Sequence, residues 1–551
     1  MELETNTLRS LKFLLIPALL FSACAYKNKE ADLVVRNARI ISMDAGGQEY
    51  QAMAIKDGRI LELGAEQQIL NRYRAKETFD AQTQTIYPGF IDGHSHFYGY
   101  GEGLQQADLV ETKSWEEILE KLQQFGKENP EGWIIGRGWD QNDWAIKEFP
   151  DNIKLNELFP NQPVILTRID GHAAIANKTA LDLAGLKPGQ KISGGEVETI
   201  NGKLSGILVD NAQSAVYAKI PEQTEAQIKE SLLDAQKNCF AAGLTSVTDC
   251  GVNHNLLPVI TELHQSNQLK MRIYAMLSDD KENYDFLFKN GAIKTDRLNV
   301  RSFKVYMDGA LGSRGACLLE PYSDKPGYSG FLLSDKKHFA EVAQKIADAG
   351  FQMNTHAIGD SANREILNVY AKVLKGKNDF RWRIEHAQVV NQADFKLFAE
   401  NNIVPSVQST HATSDMYWAA DRLGTERVKG AYAFKQLLDQ NGWLVLGTDF
   451  PVENINPMYT FYAAVVRKDM KGYPANGYQM ENAMSREEAL RGMTIWAAKG
   501  QFEEKEKGSL EAGKFADFVI LDQDIMKADS GQLFKAQVLK TFLNGENVYS
   551  K

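Results

Sequence analysis

Two histidines one residue apart, His94 and His96, close the stretch YPGFIDGHSH over residues 87–96. Tyr87, Phe90 and Ile91 give it the apolar character of a short buried strand, with Pro88 and Gly89 tolerated near its start. On a strand, side chains two residues apart share a face, so both imidazoles project the same way, roughly 7 Å apart along the chain. Two imidazoles aimed at one point can hold a metal ion, whereas a polar strand end with two exposed histidines would show the same pattern. Further donors must decide, and several are suitably placed. Lys304 lies within SFKVYMDG, His356 ends FQMNTH, His386 ends RIEH, and Asp449 follows LVLGT. Each belongs to an apolar, strand-like run.

The runs themselves predict how these residues meet. LTSVTDCG (244–251), MRIYAML (271–277), VRSFKVYMDG (300–309), FQMNTHAIGD (351–360), WRIEHAQ (382–388), IVPSVQ (403–408) and WLVLGTDFP (443–451) read as buried strands. Amphipathic stretches such as DKKHFAEVAQKIADAG and QADFKLFAENN read as helices between them. Alternating strands and helices predict a parallel sheet of the α/β class, and eight units including the opening strand predict a (β/α)8 TIM-like barrel. His356 and His386 are 30 residues apart, and His386 and Asp449 are 63 apart. A barrel of about 250 residues spends roughly 31 on each unit. The donors then fall at the C-terminal ends of strands five, six and eight, the face where barrel enzymes carry their chemistry. Four histidines and an aspartate in register at one rim predict a metal centre, and the glycines beside His94 and His96 let the chain turn over it.

The rest of the chain divides around this barrel. Short strands and turns at both ends predict a small β-sandwich domain from residues 31–87 plus 505–551, with the barrel over 88–504. Residues 101–225 break the strand–helix rhythm and read as a lobe inserted after the first barrel strand. Trp133, Trp139 and Trp144 in that lobe could wall a pocket, with core packing as the default. Residues 1–24 carry Arg9 and Lys12, an apolar core and the small residues Ser22 and Ala23 before Cys24. That is the pattern of a secretory signal, too short for a membrane span. FSAC resembles the lipobox of bacterial lipoproteins, with Phe21 where leucine is usual, so Cys24 is the expected lipidation site. A plain cleaved signal with an incidental cysteine is the alternative. Lipidation predicts an exported protein of the bacterial cell envelope, facing periplasm or exterior and touching the membrane only through its anchor. Cys239, Cys250 and Cys317 form no C-x-x-C pair and are expected as buried thiols. A net charge of −10 and the lack of a lysine- or arginine-rich tract argue against nucleic acid as a partner.

The set of H-x-H, lysine, two histidines and aspartate resembles the metal-dependent amidohydrolase superfamily. PGFIDGHSH, GRGWD, RIDGHAAIANKTAL, VYMDGALGSRGA, NTHAIGDSAN, RIEHAQ, GTDFPVENINP and GSLEAGKFADFVILD narrow it to a resemblance to the amidohydrolase-3 subfamily, which includes N-substituted formamide deformylase-like enzymes. The resemblance implies a binuclear site, with His94, His96 and Asp449 on one zinc-like ion and His356 and His386 on the other. Lys304, carboxylated at N6, would bridge them; an ordinary lysine beside a single ion is the alternative, so one or two ions remain open. The implied chemistry is hydrolysis of a carbon–nitrogen bond in a small amide, N-acyl or N-formyl amine by metal-activated hydroxide, with Asp449 as the catalytic proton carrier. Asp308, Arg314 and His172 are candidate substrate contacts; a turn, a salt bridge and a structural histidine are the respective alternatives. Ester or lactone hydrolysis or isomerisation on the same metals, and a non-catalytic ligand-binding lipoprotein, are the competing functions. The partner expected is a small-molecule substrate, with a homodimer open as the assembly.

Overall fold

The computed structural model describes residues 29–551. The expected export segment and Cys24 lie outside the described residues. Eight parallel strands run in chain order around a nearly closed barrel: Phe90–Ser95, Leu244–Val252, Arg272–Ser278, Leu298–Tyr306, Gln352–Ala357, Arg383–His386, Val404–Val407 and Val445–Leu446. Each strand pairs in parallel with the next, as strand–helix alternation predicts. Alternation along the fourth strand puts Phe303 and Val305 outward, into the core that the helices cover, and Ser302, Lys304 and Tyr306 inward. The covering helices are amphipathic. In Lys336–Asp348 the buried residues Phe339, Val342, Ala343 and Ile346 form one stripe, and Asp335 caps the first turn by accepting from the His338 amide (2.7 Å).

The opening stretch proves to be two strands rather than one. Thr85–Pro88 belongs to another sheet, and the barrel strand begins at Phe90. Gly89 sits at the break, where a Cβ would stand 2.3 Å from the Thr245 hydroxyl oxygen, so no larger residue fits the crossing. That other sheet has six strands and draws on both ends of the chain: Thr85–Pro88 pairs antiparallel with Phe518–Leu521. A four-stranded sheet from residues 29–80 shares an apolar cluster with it, in which Val35 and Ile55 join Ile86, Phe518 and Phe542. Between the first and second barrel strands lies a third, separate six-stranded sheet, from Ala107–Asp108 to Lys203–Asp210. Trp139 and Trp144 pack in its core. Among the described residues no helix is long and apolar enough to cross a membrane.

Candidate metal centre

The eighth and first strands face each other across the barrel's seam, and that seam assembles the first donors. The buried Asp92 carboxylate accepts from the Thr448 amide (3.0 Å), the Thr448 hydroxyl (2.6 Å) and the His94 amide (3.1 Å). The Asp449 amide donates to the His94 carbonyl (2.8 Å), and the His96 amide to the Phe450 carbonyl (2.9 Å). These bonds hold the H-x-H turn against the aspartate. Gly447 must be small here, since a Cβ would lie 2.4 Å from the His94 nitrogen. His94 Nε2 and His96 Nε2 stand 3.4 and 3.3 Å from Asp449 Oδ1.

The sixth strand delivers His386 by breaking its own alternation. Arg383 and Glu385, two apart, share the inner face, so regular pleating would turn His386 toward the helices. The backbone at His386 instead takes φ of +71°, a left-handed conformation that returns the imidazole to the centre. Asp449 is likewise left-handed, with φ of +63°. Such backbone strain concentrates where function requires a particular side-chain placement. The His386 ring centroid lies 4.8 Å from that of His94 and 4.6 Å from that of His356. His386 Nδ1 is 2.8 Å from Gln408 Oε1, and Lys304 Nζ, fully buried, is 3.3 Å from His94 Nε2.

Behind these donors sits a second layer. Glu385 contacts His94 Nδ1 and pairs with Arg383 Nε at 2.6 Å, all of it fully buried. Burial opposes the carboxylate charge, but Arg383 and His94 hold Glu385 at about 2. Asp449 is held well below the usual carboxylate range, its burial outweighed by His94 and His96. Burial pushes His96 down to about 4, and it pushes His356 and His386 well below the ordinary histidine value. Neutral imidazoles are the form that ligates metals; His94, despite its burial, is raised well above the ordinary value, with the Glu385 and Asp449 carboxylates among the causes.

The donor set suits a divalent cation. Asp449 Oδ1 is buried and finds no hydrogen-bond partner among the described residues. A buried carboxylate oxygen so placed, ringed by imidazole nitrogens and left without a hydrogen bond, is a donor that a divalent cation would satisfy. His94, His386 and Asp449 each offer one donor atom, all within 4.8 Å of one another. His356 lies beside this group, its Nε2 3.5 Å from the Gly309 carbonyl and 3.7 Å from Asp308.

A cavity of about 810 Å³ opens over the centre, lined by His96, Lys304, His356, His386 and Asp449 and also by Arg137 and His172. His172 Nδ1 bonds to Asp210 (2.6 Å), and its ring is 4.9 Å from His356. The other two expected substrate contacts are engaged elsewhere. Asp308 is buried and accepts from the amides of Cys317, Ile358 and Gly359, tying the fourth strand to the loop after the fifth. Arg314 pairs with Asp324 at 2.8 Å. Neither lines the cavity. Glu385 and one further neighbour, His411, escaped the sequence reading. His411 stacks on His386 with centroids 5.8 Å apart, and its Nε2 is 3.6 Å from Asp449 Oδ2. Cys239 and Cys250 are buried as expected, and Cys317 is half-buried.

Residues 77–549 match the amidohydrolase family. The chain belongs to it. Amidohydrolases of this family bind a divalent metal, and the group formed by His94, His386 and Asp449 is the candidate site here. The family's amidohydrolase-3 branch includes the N-substituted formamide deformylase of Arthrobacter pascens, 25% identical to this amidohydrolase over 94% of this chain and 98% of the relative. The Arabidopsis thaliana protein LONG AFTER FAR-RED 3 is 32% identical over 94% of this chain and 92% of its own. Among solved structures, an uncharacterized metal-dependent hydrolase of Pyrococcus horikoshii superposes with a TM-score of 0.74 at 28% identity, covering 91% of this amidohydrolase and 99% of that chain.

Proposed function

We propose that this amidohydrolase hydrolyses a carbon–nitrogen bond other than a peptide bond, in a small amide, N-acyl or N-formyl amine. The observation that carries the reading is Asp449. Its Oδ1 faces His94 and His96, its Oδ2 faces His386 and His411, and it lies on the floor of a cavity large enough for such a substrate. His94, His96 and Asp449 would hold one ion and His356 and His386 a second, zinc fitting this nitrogen and oxygen donor set. Lys304 would join them as its N6-carboxylated form, made when the neutral amine takes up carbon dioxide and releases a proton. Its full burial among the donors, 3.3 Å from His94 Nε2, supports that reading. The cation, when bound, supplies Lewis acidity. Asp449 takes the proton from the attacking water and returns it to the leaving amine, a carboxylate being able to hold the proton between the two steps. His172, lining the cavity beside His356, would contact the substrate. The A. pascens relative, by its name, acts on such a bond. Lipid attachment at Cys24 would place this activity at the cell envelope.

The test is metal analysis of the purified protein alongside turnover of N-formyl and N-acyl amines, esters and lactones. Hydrolysis of the amines in proportion to metal content supports the reading. Activity confined to esters or lactones, or ion binding with no turnover, contradicts it.

A further inference from the structure

The strand Ile134–Trp139 ends in Gly136-Arg137-Gly138-Trp139, and the hydrolysis described above uses none of these residues. The register of this strand shifts between Arg137 and Trp139, and Gly138 there has φ of +112°. In a regular strand Arg137 and Trp139 would share a face. The bulge separates them: Trp139 is fully buried in the core of its own sheet, donating Nε1–H to the Leu166 carbonyl (2.8 Å), while Arg137 is aimed into the cavity. Gly138 cannot be replaced cheaply, since a Cβ would meet Val110 Cγ2 at 2.4 Å. Opposite, the guanidinium packs over the turn that carries His172; a Cβ on Gly171 would stand 3.6 Å from Arg137 Nη1 and Nη2.

So positioned, Arg137 makes no ion pair among the described residues, and the Asp170 and Asp449 carboxylates act on it only from a distance. Its Nη2 donates to the Ile169 carbonyl (3.0 Å), and its buried Nε has no partner among the described residues. Nearby acids are committed elsewhere. Asp140 and Asp170 both bind Arg168, which Gln141 also holds (2.8 Å), and Asp170 accepts from the His172 amide (3.0 Å). Further along the cavity, Asp415 accepts from the Tyr432 hydroxyl (2.8 Å) and the Gln388 amide (3.1 Å), and Glu453 from the Ser414 hydroxyl (2.6 Å). A guanidinium stays charged at any ordinary pH, and half-burying one, with its Nε fully enclosed, without an anion in contact is unfavourable. A ligand that brings a carboxylate removes that cost through charge-assisted hydrogen bonds.

We propose that Arg137 binds a carboxylate of the substrate, so that the compounds cleaved here are N-acyl or N-formyl derivatives bearing an anionic group, of the amino-acid kind. This rests on the hydrolytic reading and narrows its substrate class. The experiment compares N-formyl and N-acetyl amino acids with partners lacking only the carboxylate, for example N-formyl-leucine with N-formyl-3-methylbutylamine. The wild type should prefer the anionic member by about 100-fold in kcat/KM, mostly through KM; Arg137→Gln should abolish the preference and Arg137→Lys restore part of it. Calorimetric binding of 4-methylpentanoate against its amide supplies a readout independent of turnover. The carboxylate should bind at least ~10-fold more tightly to the wild type, and that advantage should vanish in Arg137→Gln. Equal turnover of both members overturns the proposal and leaves carbon–nitrogen hydrolysis standing. Turnover of neither rejects the hydrolytic reading, and the binding measurement then decides Arg137. Equal binding, or a carboxylate preference that survives Arg137→Gln, overturns it. Should the variant fail to fold, the wild-type comparisons decide alone.

Discussion

Replacing Glu385 by glutamine separates the support of the metal centre from the centre itself. Glutamine keeps the shape of the side chain and removes the charge that His94 Nδ1 and Arg383 Nε both face. Two effects follow. A carboxylate behind a ligating histidine fixes its tautomer and raises its basicity, and its loss typically lowers metal affinity 10–100-fold, or about 1.4–2.7 kcal/mol. Arg383 also loses its ion pair in a fully buried position, and breaking such a pair by removing one partner costs about 3–5 kcal/mol. Arg383 retains the Gly93 carbonyl (2.6 Å) and the Ser406 hydroxyl (2.8 Å), so a loss near the lower end, about 3 kcal/mol, is expected. Chelator-competition titration reads the first effect and thermal melting with excess chelator reads the second. Metal affinity within twofold of the wild type would refute the reasoning, even if the melting temperature fell. Glu385 would then serve Arg383 and not His94.

Asp449→Asn should keep the fold, bind metal at least ~10-fold more weakly and lose over ~100-fold in turnover. Retained metal with unchanged turnover would remove Asp449 as the proton carrier. Burial lifts the Asp249 carboxyl to about 7, above an unfolded value of about 3.9. The folded state therefore holds a proton that the unfolded chain has released, and the stability this contributes is lost as pH rises from about 4 through about 7. Melting curves should show Asp249→Asn gaining on the wild type between pH 5 and pH 8; a constant difference would contradict the shift. Metabolic labelling with a fatty-acid analogue should mark the wild type and not Cys24→Ser, and an unlabelled wild type would end the lipoprotein assignment.

The eight barrel strands were legible because each combines a short buried run with a spacing near one strand–helix unit. His94, His96, His356, His386 and Asp449 announced themselves as polar residues at the ends of such runs. What stayed hidden depended on local breaks in periodicity. Glu385 adjoins His386, and strict alternation would send one of them outward; only the positive φ at His386 lets both face inward. His411 lies beyond the seventh strand, inside the helix Ser409–Asp415, where nothing in its spacing separates it from an ordinary helical residue. Pro88 and Gly89 read as tolerated near the start of one strand; the division of that stretch between two sheets depends on partners more than 400 residues away at Phe518–Leu521. Asp308 and Arg314 followed a strand end as a substrate contact would, yet backbone amides and Asp324 engage them.

The convergence of distant imidazoles and Asp449 on a shared cation is tested most directly by removing that cation. Purified protein is dialysed against a chelator, assayed on N-formyl and N-acyl amines, and assayed again after stoichiometric zinc is restored, with metal content measured at each stage. Hydrolysis should disappear with the metal and return with it. Equal rates with and without bound metal would contradict the account.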